Sequence, residues 1–338
     1  MLELRDAHAR VARDLRVSLT DRCNLRCVYC MPAEGMQWIP RDETLTDDEV
    51  LRLVRVAVEQ LGITKVRFTG GEPLIRPTLA SIISRVKELR LPDGTAPETA
   101  LTTNGIGLAA KAQELRDAGL DRVNISIDSL DKTRYAQMSR RDRLPDVLDA
   151  IEAAHAAGLR PVKLNAVIMP GVNESDVVPL AQFALTGGYE LRFIEQMPLG
   201  PKGEWDRAGM VTAQAILDML AERFQLTPAT EPRGSAPAAL WDVAPDETQP
   251  GGQLGVIASV THPFCSNCDR TRITSDGQVR TCLFSRTETD LRGLLRSGAS
   301  DDTLAEAWAG AHRRKPQAHG IDTDEFEQPQ RGMSAIGG

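Results

Sequence analysis

The chain has 338 residues, of which 41% are hydrophobic and 26% are charged, an ordinary composition for a globular protein. No stretch approaches the ~18 uninterrupted apolar residues of a membrane span. The charged segment from Met1 to Arg16 lacks the apolar core of a signal peptide. We therefore expect a cytoplasmic protein with no membrane association. The net charge of −7 argues against sequence-independent binding to nucleic acid, but a local basic pocket can still bind a phosphate-bearing small molecule.

Alternating strands and helices are predicted between residues 15 and 198. Leu15, Val17 and Leu19 alternate with polar residues, which predicts the first strand. Thr46 and Glu49 match a capping box that precedes a helical apolar repeat. The later predicted segments are Lys65–Thr69 (strand), Pro77–Leu89 (helix), Thr99–Thr103 (strand), Leu108–Ala118 (helix), Arg122–Asp128 (strand), Pro145–Ala157 (helix), Val162–Met169 (strand), Glu174–Leu185 (helix) and Glu190–Met197 (strand).

Repeated strand–helix units of this kind imply a parallel sheet, either open and doubly wound or curved into a barrel. Buried parallel strands are usually continuous apolar runs, whereas several of these strands carry polar residues on one face. A wide, incompletely closed barrel filled by polar ligands explains them better than a flat sheet with edge strands. The polar residues are Arg16, Ser18, Thr20, Arg67, Thr69, Asn124, Ser126, Asp128, Lys163 and Asn165.

The pattern changes after Met197, and we place a domain boundary between residues 1–200 and 201–338. A helix is predicted at 211–224, a surface excursion at 228–252, short strands between 254 and 283, and helices near 288–297 and 301–313. The Gly- and Gln-rich tail, which ends in Gly337–Gly338, is expected to be mobile.

The six cysteines form two triplets, and the first is Cys23, Cys27 and Cys30. These three lie in the loop after the first predicted strand with the spacing C-x3-C-x2-C. Three thiolates on one short loop can ligate three irons of a [4Fe–4S] cubane and leave the fourth iron open. The alternatives are coincidence or a zinc loop completed from elsewhere, since no histidine lies between residues 9 and 154.

The sequence from Thr20 to Pro32 resembles the radical S-adenosylmethionine (SAM) superfamily. Thr69-Gly70-Gly71-Glu72-Pro73 resembles the segment that binds the SAM amino group in that family. The resemblance implies that the open iron of the first cluster chelates SAM, and that the reduced cluster cleaves SAM to methionine and a 5′-deoxyadenosyl radical. It further implies SAM contacts from Tyr29, Gly71, Ser126 and Met197. No side chain is assigned a catalytic role.

The second triplet, Cys265, Cys268 and Cys282, has the spacing C-x2-C-x13-C. With His262 it could form a Cys3His zinc site. We favour a second [4Fe–4S] cluster with one open iron, because Arg270 and Arg272 follow the cysteine pair directly. Guanidinium groups pair well with phosphate oxygens, although such arginines can also form solvated surface pairs.

With both triplets in place, the whole chain is similar to the GTP 3′,8-cyclase family of molybdenum cofactor biosynthesis. The resemblance also rests on Asp14–Asp21, Thr102–Gly105, Asn124–Leu130, Leu191–Glu195, Phe264–Arg272 and the final double glycine. It implies an α/β fold, an incomplete (β/α)6 TIM-type barrel with a C-terminal α+β extension closing its mouth. It implies a lyase that removes the 3′ hydrogen of GTP, joins C3′ to C8, and yields (8S)-3′,8-cyclo-7,8-dihydroguanosine 5′-triphosphate.

Matched by position, the resemblance implies GTP contacts from residues on the barrel strands and beside the second triplet. Several of them are charged residues that would be costly to bury without partners. The implied contacts are Arg16, Arg67, Thr102, Lys163, Arg270, Thr271 and Arg272, with Arg192 a weaker candidate.

The resemblance implies an electron donor of flavodoxin or ferredoxin type, and a hand-over of product to cyclic pyranopterin monophosphate synthase. It leaves open whether the protein is a monomer or a homodimer. Two other interpretations remain at this point: a radical SAM enzyme that modifies a peptide, and a zinc-binding interaction protein that is not an enzyme.

Overall fold

The computed structural model describes residues 2–323 and 326–337. Within these ranges, twelve strands form a single sheet. They are β1 Asp14–Ser18, β2 Lys65–Thr69, β3 Glu98–Thr103, β4 Arg122–Ser126, β5 Val162–Ile168, β6 Glu190–Glu195, β7 Leu226–Pro228, β8 Ala239–Val243, β9 Gly252–Ile257, β10 Arg270–Ile273, β11 Gln278–Arg280 and β12 Thr289–Asp290.

Helices follow most of the parallel strands. They are α1 Asp47–Arg55, α2 Leu79–Lys87, α3 Ala112–Asp117, α4 Lys132–Ser139, α5 Leu144–Ala156, α6 Val177–Gly187, α7 Ala213–Ala221, α8 Leu291–Arg296, α9 Asp301–Arg313 and α10 Met333–Ile336. A π-helical turn at Val56–Gln60 extends α1. None of the helices in the described ranges is long and apolar enough to cross a membrane.

The predicted capping box at the start of α1 is confirmed. The Thr46 hydroxyl accepts the Glu49 backbone N–H at 3.2 Å, and the Glu49 carboxylate accepts the Thr46 N–H at 2.8 Å. These two bonds satisfy donors that the first turn of a helix leaves unpaired. The apolar face of α1 then buries Val50, Leu53 and Val54.

Strands β1 to β6 pair in chain order and are all parallel. Two later strands extend the parallel set: β10 pairs with β1, and β9 pairs with β6. A doubly wound sheet would reverse its strand order, whereas this sheet proceeds in one direction. The fold is a partial TIM-type barrel, and the prediction of an α/β barrel rather than a flat sheet is confirmed at this level.

The two faces of the parallel strands differ in polarity. In β2, Val66 and Phe68 are fully buried in the hydrophobic core, together with helix residues such as Leu53 and Ile83. Arg67, between Val66 and Phe68, lines a cavity on the other side of the sheet. Successive strand residues point to opposite faces. One face of the strands therefore packs against the helices in the hydrophobic core, and the other face lines the polar cavity.

Two segments differ from the sequence predictions. Helix α4 was not expected, because its sequence lacks an apolar repeat; Asp131 caps it by accepting the Arg134 N–H at 2.8 Å. The surface excursion expected at 228–252 is wrong in part, because β8 pairs antiparallel with both β7 and β9. These edge strands are short and lie among Pro and Gly residues, which weakens their sequence signal.

Glu195, at the end of β6, joins the first six strands to the rest of the chain. Its fully buried carboxylate accepts the backbone N–H groups of Ala213, Val260 and Thr261 at 2.7, 2.8 and 3.0 Å. Three charge-assisted bonds, one from the start of α7 and two from the chain after β9, fix how these two segments pack on the barrel.

The end of the chain packs back onto the barrel interior. Ile336 is buried, the Ser18 hydroxyl donates to Ile336 O at 3.1 Å, and Arg272 donates to Gly337 O. The tail, which was expected to be mobile, is therefore bound to β1 and β10 up to Gly337, while Gly338 lies outside the described residues.

Candidate functional site

A cavity of about 510 Å³ lies inside the partial barrel. Residues from β1 to β6 and β10 contribute polar side chains to it, and the second cysteine triplet forms part of its wall. Of the residues predicted from sequence to contact SAM or GTP, the following line it: Arg16, Tyr29, Arg67, Thr102, Ser126, Lys163, Arg192, Met197, Arg270 and Arg272.

Strand register brings three of the predicted arginines side by side. Arg16 of β1 lies opposite Arg67 of β2 on one side and opposite Arg272 of β10 on the other. Residues that face each other on neighbouring strands lie within a few ångströms at their Cβ atoms. Three positive charges are therefore concentrated at one end of the cavity.

These guanidinium groups lack protein partners for several of their donors. In the described part of the chain, no hydrogen-bond partner is found for the buried Nε atoms of Arg16, Arg67, Arg192 and Arg270. Arg67 approaches Asp14 only at 4.0 Å. Buried polar groups are normally paired, so these donors are arranged for an anionic ligand.

Burial and mutual repulsion lower the pKa values of several of these cations. Burial, followed by the charges of Arg272 and Arg270, holds the pKa of Arg16 well below its usual value. Burial lowers the pKa of Arg272 to about 10 and that of Lys163 to about 8, although Lys163 donates to Glu190 at 2.6 Å. A polyanion in the cavity would relieve this repulsion.

The first cysteine triplet lies in the loop directly after β1. Cys30 N–H donates to Cys27 O at 2.9 Å, and the loop is attached to α4 by Val28 N–H to Met138 O at 2.9 Å. Burial raises the pKa of Cys30 to about 12, with Cys23 adding to it. Thiols in this environment become thiolates when a metal binds them.

The segment Gly70-Gly71-Glu72 packs against the backbone of this loop. Gly71 N–H donates to Thr20 O at 2.7 Å, and Glu72 N–H donates to Arg22 O at 2.8 Å. A Cβ atom on Gly71 would lie 2.2 Å from Arg22 O, so a side chain at this position requires the cysteine loop to move. Gly70 has φ +128°, which disfavours other residues.

Two buried carboxylates fix the ends of the neighbouring strands around the first triplet. Glu72 accepts the Leu74 N–H, the Thr103 hydroxyl and the Asn104 N–H at 2.9, 2.8 and 2.8 Å, and burial raises its pKa to about 7. Asp128 accepts the Tyr29 hydroxyl at 2.8 Å, and burial raises its pKa to about 6. Tyr29 thereby lies in the cavity wall.

The second triplet lines the cavity from the opposite part of the chain. Cys265 begins a short 3-10 turn, Cys268 precedes β10, and Cys282 follows β11. Burial raises the pKa of Cys265, and the nearby thiols of Cys282 and Cys268 raise it further. All three cysteines line the same cavity.

The donor set of each triplet, three thiolates on short loops, fits an iron–sulfur cubane. No group of three His, Cys, Asp or Glu side chains among residues 2–323 and 326–337 is placed to hold one metal ion, and His262 is exposed. In a cubane each thiolate binds a different iron, so the three sulfurs need not converge on one point. Both triplets have the chemistry and the loop placement for such a cluster.

Known proteins match the chain over nearly its full length. Residues 17–184 match the radical SAM superfamily, and residues 189–321 match the molybdenum cofactor synthesis C family. A GTP 3′,8-cyclase of Corynebacterium glutamicum is 62% identical over 98% of this chain and 89% of its own length. The chain belongs to the GTP 3′,8-cyclase family.

A second relative supports this membership. A GTP 3′,8-cyclase of Mycolicibacterium smegmatis is 55% identical over 98% of this chain and 91% of its own length. Among solved structures, Streptococcus suis SuiB bound to S-adenosylmethionine matches with a TM-score of 0.59 at 13% identity, over 96% of this chain and 75% of that chain. At that identity the structural match shows a shared fold.

Two of the site residues expected from the family pattern lie outside the cavity wall. The Thr271 side chain points to the other face of β10, where its hydroxyl accepts the Trp308 indole N–H at 2.9 Å. Strand alternation turns this side chain away from the cavity, and a GTP contact from Thr271 stays a prediction. Gly71 contacts the first cysteine loop rather than the cavity.

The cavity also includes residues that the sequence analysis missed. Lys65 and Arg122 lie two residues before Arg67 and Asn124 on the same strand faces, so alternation alone would have found them. Arg233 comes from the segment at 228–252, and its guanidinium lies 5.3 Å from the Phe264 ring centroid. No motif marks Arg233, because it enters the site through tertiary folding.

Replacing Gly71 with alanine tests the packing of the first cysteine loop. We expect Gly71→Ala protein to lose about half of the roughly eight irons that two cubanes contain, because the new Cβ displaces the loop at Arg22. Iron and sulfide analysis of anaerobically purified protein measures this loss.

Gly310→Ala is the matched control, since its Cβ would meet no atom closer than 3.6 Å. This control should retain all the iron. Equal iron content in the two variants would show that the close approach of Gly71 does not matter for the first cluster.

Proposed function

We propose that this chain is a GTP 3′,8-cyclase that catalyses the first step of molybdenum cofactor biosynthesis. Its product would be (8S)-3′,8-cyclo-7,8-dihydroguanosine 5′-triphosphate. The observation that carries the proposal is the cavity lined by Tyr29 of the first cysteine loop and by the second cysteine triplet, whose buried arginines present unpaired donors. The names of relatives that are 55% and 62% identical support the same activity.

Cys23, Cys27 and Cys30 would hold the cluster that binds SAM. When bound, this cluster and SAM supply a 5′-deoxyadenosyl radical that removes the 3′ hydrogen atom of GTP. Tyr29, Ser126 and Met197 would contact SAM from the cavity wall. Gly71 would act by keeping the cysteine loop in place, which its contact with Arg22 supports.

Arg16, Arg67, Lys163 and Arg272 would hold the triphosphate of GTP. These side chains point into one cavity from three neighbouring strands and from β5. A triphosphate matches their charge and accepts the hydrogen bonds that the protein leaves unmade. By holding the triphosphate, these residues would orient the substrate. Such orientation is a main contribution of the protein to the rate of a reaction whose chemistry belongs to the cofactor.

Cys265, Cys268 and Cys282 would hold a second cluster, which would supply an open iron to bind the guanine. Arg270 supports this placement, because its guanidinium lies 4.6 Å from the Phe264 ring centroid and lines the same cavity. Thr102 would contact the nucleotide from β3. Once the new C3′–C8 bond has formed, one electron and one proton complete the 7,8-dihydro product.

We assign the finer architecture as an incomplete (β/α)6 barrel at residues 1–200, closed by residues 201–338. Helices between successive strands of β1–β6 support the first part of this assignment. The contribution of Arg233, the second triplet and Met333 to the cavity wall supports the second part.

The reaction needs an electron source and a recipient for its product. We assign a flavodoxin- or ferredoxin-type donor, a downstream cyclic pyranopterin monophosphate synthase, and a cytoplasmic location, where reducing conditions keep thiols available for clusters. All six cysteines are free of disulfide bonds, which supports that location. A monomer and a homodimer both remain compatible with the proposed site.

Alanine substitutions at Arg270 and Arg272 separate substrate binding from SAM cleavage. We expect both variants to cleave SAM while cyclising GTP at least tenfold more slowly, because one charge-assisted contact is worth roughly 1.5–3 kcal/mol. Chromatography of 5′-deoxyadenosine and of the cyclised nucleotide measures the two activities separately. Arg286→Ala, which removes an exposed partner of Glu327, should behave like the wild type. Normal cyclisation by both site variants would remove the assignment.

Affinity for GTP should depend on pH through Lys163. Burial lowers its pKa to about 8 in the free protein, and only the protonated form attracts a triphosphate. The lysine contribution is therefore present below pH 8 and is lost as the pH rises through that value. Anaerobic calorimetry should show affinity falling by up to about tenfold per pH unit above pH 8.

Lys163→Arg provides the control, because arginine stays protonated throughout this range. Its affinity should change much less between pH 7 and about 9.5. Identical pH profiles for the wild type and Lys163→Arg would exclude Lys163 as the titrating ligand.

A further inference from the structure

Lys315 is a buried lysine beside the second cysteine triplet. It is only 4% exposed. Its Nζ atom lies 3.4 Å from Cys268 Sγ and donates to Arg270 O and Cys268 O at 3.0 and 3.3 Å. Among residues 2–323 and 326–337 it forms no ion pair with a carboxylate, although a buried ammonium group normally has an anionic partner. The sulfur of Cys268 occupies the position where that partner is expected.

The segment Lys315–His319, which follows α9, surrounds the second triplet. The His319 backbone N–H is bonded to the Cys265 sulfur. Arg10 fixes the segment from the other side, because it donates to Pro316 O at 2.6 Å, Gln317 O at 2.8 Å and Cys265 O at 2.6 Å. The position of the Lys315 ammonium group is therefore set by several contacts.

Charged groups lie near a cysteine of each triplet. At the first triplet, the Asp128 carboxylate accepts the hydroxyl of Tyr29, the residue between Val28 and Cys30, at 2.8 Å. At the second triplet, the Lys315 ammonium group lies 3.4 Å from Cys268 Sγ. Negative charge on the Cys268 sulfur is therefore stabilised by a cation next to it.

We infer that Lys315 is a positioning residue that binds the Cys268 thiolate and raises the reduction potential of the second cluster. The inference rests on the proposed pair of [4Fe–4S] clusters. One-electron reduction adds a negative charge to a cluster, and a fixed ammonium group next to a ligand sulfur stabilises that charge. Hydrogen bonds to ligand sulfur and local charge are known determinants of cluster potential.

The test is a potentiometric titration of the anaerobic full-length protein, followed by electron paramagnetic resonance. We expect Lys315→Met to lower one midpoint potential by at least about 59 mV, which is a tenfold change in a one-electron equilibrium. Lys315→Arg, which keeps the charge, should shift it much less. A variant with Cys265, Cys268 and Cys282 all replaced by serine identifies the signal of the first cluster, which Lys315→Met should leave unchanged.

Lys87→Met is the matched control. It removes a lysine that donates to Pro97 O and Asp121 at 3.0 and 2.8 Å, away from both triplets. Both of its potentials should equal those of the wild type.

Each outcome bears on the inference. Two unchanged potentials in Lys315→Met protein that holds about eight irons would overturn it, as would an equal shift of both clusters. Lys315→Met could instead lose about four irons. In that case, full iron content and a near-normal potential in Lys315→Arg would support the role of the charge. Loss of iron in both variants would overturn the inference. A wild-type protein with about four irons contradicts the second cluster itself.

Discussion

The parallel pairing of β1 with β10 is the contact on which the site depends. It joins residues that are 256 positions apart, with Asp14 opposite Arg270 and Arg16 opposite Arg272. The first cysteine loop begins where β1 ends, and Cys268 lies two residues before β10. One strand pair therefore places the second triplet and the arginines of both halves in the wall of a single cavity. Without it, the partial barrel would expose β1 as an open edge.

This pairing also concentrates like charges, which proteins avoid unless something compensates them. Arg16 lies between Arg67 and Arg272 on neighbouring strands, and several of the guanidinium donors have no partner in the described residues. A substrate that carries a triphosphate explains both facts. Charged groups also lie near both triplets: the Asp128 carboxylate binds the Tyr29 hydroxyl of the first cysteine loop, and the Lys315 ammonium group lies next to Cys268.

The barrel strands and the cysteine pattern were predictable because both are local signals. Alternation in β2 places Arg67 in the cavity and Phe68 in the core, and the capping box at Thr46 begins α1 where expected. The Thr271 side chain lies on the face of β10 away from the cavity, as strand alternation between Arg270 and Arg272 requires. Arg233 and Lys315 were missed because each reaches its position through contacts with distant segments, such as those between Lys315 and Cys268. The spacing of residues in the sequence does not predict such contacts.

The central claim is that this cavity places C3′ of GTP within reach of the radical made at the first triplet. The most direct measurement is hydrogen transfer from GTP deuterated at C3′, using anaerobic protein supplied with SAM and a reductant. The account predicts 5′-deoxyadenosine that carries one deuterium, together with a 3′,8-cyclised nucleotide. Formation of 5′-deoxyadenosine without deuterium, at a rate that does not depend on GTP, would contradict it.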